Sequence, residues 1–244
     1  MADWNDTGQR TNWGSVPRAG DAVARRATYD AGLRSYMLSI YNYMASGILL
    51  TGVVALLTAQ SGFATGPVML IGGIGSFVIV MAMSFGMNRF GKATLQGMFW
   101  GYAVVMGLFL SSVLVMYTGA SVAATFFATA GAFAGLSLVG YTTKKDLSGF
   151  GTFLIMGVIG LVVAMVLNIF IFKSTGLELA ISFLGVLIFA GLTAYDTQKL
   201  KLVYDQVRGT EFMGKVVIMG ALTLYLDFIN MFLFLLRFMG NSRG

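Results

Sequence analysis

Of 244 residues, 57% are hydrophobic and only 11% charged, against roughly a quarter charged in soluble domains, and the mean hydropathy is +0.80; these values exclude an ordinary water-soluble globule. Cysteine and histidine are both absent, which excludes disulfides, thiol chemistry and the zinc, haem and iron–sulfur sites built on those ligands, and leaves carboxylates and tyrosines to respond to protons. The net charge of +6 follows membrane topology, so no nucleic-acid partner is expected.

Residues 1–33 are polar, with Asp3, Asp6, Arg10, Arg18, Asp21, Arg25 and Arg26 among several glycines. They are expected to form a mobile cytoplasmic tail leading into a short interfacial segment. No apolar core follows the charged start, so a cleavable signal peptide is not expected. A single membrane domain is expected over residues 34–240.

Seven apolar runs follow, at about 36–58, 67–86, 95–117, 120–141, 150–172, 178–203 and 216–238. Their length is that of membrane helices, and the alternation of a transmembrane barrel is missing. The expected fold is therefore all-α, a polytopic bundle of seven transmembrane helices. The sixth run turns amphipathic after Asp196, where Lys199 and Lys201 can snorkel toward headgroups.

Basic residues alternate between the connections. The N-terminal segment, the second, fourth and sixth connections together hold thirteen Lys/Arg, while the others and the C-terminal end hold three, Lys173, Arg237 and Arg243. The positive-inside rule then places the N-terminus in the cytoplasm and the C-terminus outside, in the inner membrane if the source is bacterial. That arrangement needs an odd number of spans.

Gly97 with Gly101 and Gly131 with Gly135 form GxxxG pairs, expected chiefly to pack helices closely within the monomer, with a dimer face as the lesser alternative. No internal repeat of the kind that builds inverted-repeat transporters is visible.

Eight of the ten acidic residues fall in the tail, in loops or at a run's end. The other two are Asp196 and Asp227. Asp227 lies in mid-run with no lysine or arginine within a helical turn, and a carboxylate at that depth is costly unless it faces a bundle interior or a polar path. Asn230, three residues on, is in position to hydrogen-bond it. Asp196 has Lys199 at i+3, an ordinary ion pair, but antiparallel packing of the last two helices would bring it toward Asp227. The depths differ: with the sixth helix ending near Val203, Asp196 lies about 10 Å deep and Asp227 about 18 Å, counted from Lys215. Tilt or unwinding would have to close that gap. Two carboxyls that meet would share one proton and act as a pH switch, closed when protonated and repelling when both ionise. Ionised, they offer hard oxygens for transient Ca²⁺ binding.

Tyr195-Asp196-Thr197-Gln198, followed after a basic loop by Leu224-Tyr225-Leu226-Asp227-Phe228-Ile229-Asn230-Met231-Phe232, resembles the transmembrane Bax inhibitor motif family, the Bax inhibitor-1-like proteins. The resemblance covers essentially everything after the tail. It implies a central seventh helix wrapped by the other six, and a pH-sensitive Ca²⁺ leak sensed by the aspartate pair, here Asp196 and Asp227. It also implies an arginine that latches the pair, for which Arg34 and Arg89 at span ends are candidates. The loop between the two acids looks longer than the family's.

The expected function is thus a Ca²⁺ leak channel or cation transporter, not an enzyme, with the lipid bilayer, protons and Ca²⁺ or another cation as partners. The alternative is a non-conducting regulator of a membrane protease or of stress and cell-death machinery, with a membrane-protein partner and the tail as its handle. An intramembrane aspartyl protease fits less well, because the second acid is not in Gly-x-Gly-Asp and no Pro-Ala-Leu segment follows. A retinal protein lacks its Schiff-base lysine, since none lies between Lys215 and Arg237. Tyr195 and Tyr225 are expected to support the acids, with Asn42, Ser46 and Asn168 as secondary polar candidates. No resident cofactor is expected.

Overall fold

The computed structural model describes the backbone of residues 19–242 and the side chains of residues 27–242. The described residues divide between two units, one ending at Ser35 and the other beginning at Tyr36. Most of the expected tail, residues 1–18, lies outside the described residues. The part that is described is helical from Ala19 onward.

The elements are α1 (Ala19–Gln60), α2 (Gly66–Gly86), α3 (Lys92–Met116), α4 (Gly119–Thr142), α5 (Ser148–Leu167), α6 (Thr175–Val207) and α7 (Met213–Met239). All seven are long and apolar enough to cross a membrane, so the protein is an integral multi-pass membrane protein with an all-α fold. Among the described residues, strand pairing is limited to one isolated bridge, Tyr117 to Ser242. That contact belongs to a clip at the chain's end, in which Thr118 N–H donates to the Asn241 carbonyl at 3.1 Å and Asn241 N–H to Ser121 Oγ at 2.9 Å.

Each helix begins and ends where local chemistry changes. Pro67 opens α2 at a position where a helix needs no amide donor. Thr118 and Ser174 accept from Ser121 and Leu177 N–H to start α4 and α6. α5 runs into a π-helical turn, Asn168–Phe172, closed by Lys173 in the left-handed region at φ 48°. Asn168 secures that turn, accepting from Ser174 N–H at 2.9 Å and donating to its carbonyl at 3.2 Å.

Unlike a soluble bundle, this one is apolar on its outside as well as in its core. Large apolar side chains such as Leu49, Phe77, Phe127, Phe153, Ile159 and Phe170 are exposed, as a lipid-facing surface requires. α7 is the buried element: 72% of its apolar window is enclosed, against 44% or less for every other span. It packs on α6, α4 and α3 and reaches α1 through Tyr225. With lipid outside, burying α7 gains little from hydrophobic transfer, and the bundle rests on van der Waals fit and interhelical hydrogen bonds.

Glycine marks the tightest of these fits, though not where GxxxG spacing predicts. A Cβ on Gly140 of α4 would overlap the Ala194 carbonyl of α6, whereas one on Gly97, Gly101, Gly131 or Gly135 would meet nothing within 4 Å. The expected close packing by the GxxxG pairs is therefore not what the bundle uses. GxxxG spacing puts two small residues on one helix face, but only tertiary contact decides whether a neighbour occupies it.

Candidate functional site

The site grows from four consecutive residues of α6. Successive helical residues point about 100° apart, so Tyr195, Asp196, Thr197 and Gln198 engage different neighbours. Tyr195 lies against Gly151 of α5, where any Cβ would collide with its ring, and Lys199 Nζ sits 5.9 Å from the ring centroid. Thr197 Oγ1 meets Ser137 Oγ of α4 at 3.5 Å. Gln198 clamps the α4–α5 connection, donating from Nε2 to the Lys145 carbonyl at 2.7 Å and accepting at Oε1 from Leu147 N–H at 2.9 Å. Asp196, half-buried, feels the charge of Lys199 and interacts with the carboxyl of Asp227 on α7.

Asp227 is 4% exposed. Its neighbour is the Asp196 carboxyl, and its Oδ2 is buried with no hydrogen-bond partner among the described residues. Two ionised carboxylates offer each other only acceptors, so this contact is a hydrogen bond only when one of them carries a proton. Among the described residues, no three His, Cys, Asp or Glu side chains converge as a metal-holding group.

Helix lengths account for the proximity. α6 continues to Val207 rather than ending near Val203, and α7 starts at Met213, so the connection is only Arg208–Phe212, with Gly209 in the left-handed region at φ 74°. Asp196 is thereby about 17 Å from the end of α6 and Asp227 about 21 Å from the start of α7. The expected longer loop and depth gap came from ending the sixth helix near Val203 and counting the seventh from Lys215, whereas residues 204–207 and 213–214 are also helical. Lys201 secures this part by donating to the Tyr141 carbonyl at 2.8 Å.

The supporting residues are placed differently from expectation. Asn230 does not serve Asp227; it donates to the Leu226 carbonyl one turn back at 2.8 Å. Tyr225 lies on the opposite side of α7 from Asp227, fully buried, its hydroxyl 2.6 Å from Thr51 Oγ1 of α1. Thr51 in turn donates to the Ala103 carbonyl of α3 at 2.7 Å. Tyr225 also packs edge-on against Phe99 and Tyr102 of α3. Both tyrosines flank the acids in sequence and anchor their helices to other neighbours in space. Asn42 and Ser46 are exposed and joined by a local bond from Ser46 Oγ to the Asn42 carbonyl, and Asn168 is committed to the turn after α5. Arg89, in the connection after α2, is exposed, as is Arg34 within the first unit.

Sequence reasoning missed Thr51 and Gly140, and quoted Gln198 without giving it a role. Gln198 carries a signal in hindsight, as an amide in an apolar run beside an acid. Thr51 carries none, because a threonine is ordinary on any membrane helix.

Comparison with known proteins agrees with this architecture. The family model described as "Inhibitor of apoptosis-promoting Bax1" matches residues 33–244. The inner membrane protein YbhL of Escherichia coli strain K12 is 46% identical over 235 residues, covering 93% of this chain and 98% of that protein. A Caulobacter vibrioides protein is 46% identical over 229 residues, 88% of this chain and 91% of its own length. Protein RP147 of Rickettsia prowazekii is 44% identical over 231 residues, 91% and 95% respectively. Since the match spans every membrane helix of the bundle, the chain belongs to the Bax inhibitor-1-like family of membrane proteins.

Proposed function

We propose that the protein is a pH-sensitive cation leak whose permeant ion is Ca²⁺, gated where α6 meets α7. The observation that carries the reading is the buried, unpartnered Oδ2 of Asp227 with a second carboxyl beside it. A structural acid would have a basic or amide partner of its own, and among the described residues this oxygen has none.

With one proton between them, Asp196 and Asp227 tie α6 to α7. With both ionised, charges a few Å apart repel and loosen that contact. Flux therefore rises as pH increases through the pair's titration and falls as the proton returns. Two carboxylates supply only part of the six to eight oxygens that Ca²⁺ takes, which suits an ion in passage. No chemical step is involved. The excess of Lys/Arg at one end of the bundle supports an N-terminus in the cytoplasm, which labelling of single cysteines introduced into this cysteine-free chain would check.

The test is purified protein in liposomes loaded with a Ca²⁺ dye. Wild type is expected to show flux that depends on pH, and Asp227→Asn to show flux that does not. A variant that keeps the normal pH response would sink the sensing role. Wild type without flux would sink the leak itself and leave the non-conducting regulator as the function to pursue.

A further inference from the structure

The least covered stripe of α7 runs Leu226, Asn230, Leu233, Arg237, three of them half-buried and Arg237 exposed. α2 packs on α3 and α5 packs on α6, and this stripe forms the floor of a cleft with α2 and α5 on its walls. Two cavities lie along it, of about 340 and 460 Å³, sharing Phe109, Met165, Leu233 and Arg237 as lining. From Arg237 to Leu226 is eleven residues, roughly 16 Å of helix. That is about half of a ~30 Å hydrocarbon core, the depth of one leaflet.

The two ends differ in chemistry. The deeper cavity is walled by side chains such as Phe77, Val80 and Met106. Tyr102, 0% exposed, lines it too, and its hydroxyl has no hydrogen-bond partner among the described residues. The cavity at the membrane surface is lined by Lys173, Glu178 and Arg237. Among the described residues, the Arg237 guanidinium meets soft neighbours, the Met165 sulfur at 3.9 Å and the face of Phe234 at 5.9 Å. A guanidinium is built for bidentate contact with a carboxylate or phosphate. Basic pockets between membrane helices bind lipid head groups in this way.

We propose that this cleft holds one phospholipid of the leaflet at the C-terminal end of α7, and that the lipid is an ethanolamine phospholipid. Its phosphate lies on Arg237 and Lys173, and an acyl chain fills the shaft toward Tyr102. Glu178 on the same rim selects a head group that carries its own ammonium and disfavours one that is anionic overall. This site stands on residues separate from Asp196 and Asp227 and does not depend on their conducting ions.

The test uses the full chain in nanodiscs of equal parts ethanolamine, glycerol and choline phospholipids with matched chains. The protein is transferred to detergent, washed, and its retained lipids are counted by native mass spectrometry. Wild type is expected to keep one ethanolamine lipid in about fivefold preference over the others. Arg237→Gln should lose most of that retention, Asp227→Asn should keep it, and Glu178→Gln should erase the preference over the glycerol lipid. Wild type that retains no lipid, retains all three equally or prefers the glycerol lipid overturns the proposal, as does Arg237→Gln retaining lipid as wild type does.

Discussion

α5 and α7 make an instructive pair. α5 with its π-helical extension has the most apolar window of the seven spans, yet only 11% of it is enclosed; α7 carries a mid-span aspartate, and 72% is enclosed. In water the more apolar segment would be the core. In a bilayer lipid already solvates apolar surface, so the segment that needs protein around it is the one with polar groups to hide. α5 is held mainly on one side, packed on α6 through contacts such as Gly151 against Tyr195, with the Asp146 turn at its start and Asn168 at its end. α7 is held along its whole length.

The sharpest way to break this contrast is matched truncation. Leu224 of α7 is 0% exposed and Ile159 of α5 is 61% exposed. Leu224→Ala should cost about 2 kcal/mol, the low end for buried leucine, because the truncated chain loses packing but no transfer from water. Ile159→Ala should cost less than about 0.5 kcal/mol. Equal shifts in the denaturant midpoint of the reconstituted protein would dissolve the distinction.

A smaller effect sharpens it within one helix. Gly140→Ala forces α4 away from the Ala194 carbonyl and should destabilise by about 1–3 kcal/mol. Gly131→Ala, nine residues earlier on an open face, should be neutral or slightly stabilising, since alanine is the better helix former. The same unfolding measurement checks both.

The smallest effect lies at the start of α5. Asp146 accepts from Ser148 N–H at 2.9 Å, and the Ser148 hydroxyl and amide hold its carboxyl below the usual carboxylate range. A lowered folded-state value means that this anchor is fully present above the usual carboxylate range and is lost only as pH falls below that range, through the lowered value. Asp146→Ala should reduce hydrogen-exchange protection of the Ser148 amide by no more than a few-fold, with no effect on α7.

Much of the fold was legible because lipid imposes a coarse rule: an apolar run of sufficient length spans. The seven helices follow the seven runs closely, and Asp227 stood out because a charge in such a run is conspicuous. What was not legible depended on which face meets which neighbour. Tyr225 and Asp227 are two residues apart and sit on opposite sides of α7, so adjacency in sequence gave the wrong partner. The end of α6 was misplaced because the apolar run stops at Val203, although the helix continues through Asp205 to Val207, with Lys201 bonded to the Tyr141 carbonyl. Gly140 and Gly131 look equivalent until α6 is in place.

The helix that fills the centre is also the seventh to be made. Thirty-odd residues separate the end of α6 from the end of α7, which at 5–20 residues per second is roughly 2–6 s of synthesis. During that interval the first six spans are in the bilayer around a missing axle, and Asp196 waits beside lipid or translocation machinery for its companion. Assembly is therefore a late closing step: the other helices dock onto a rod that arrives after them, and the Asn241–Thr118 clip fastens behind it.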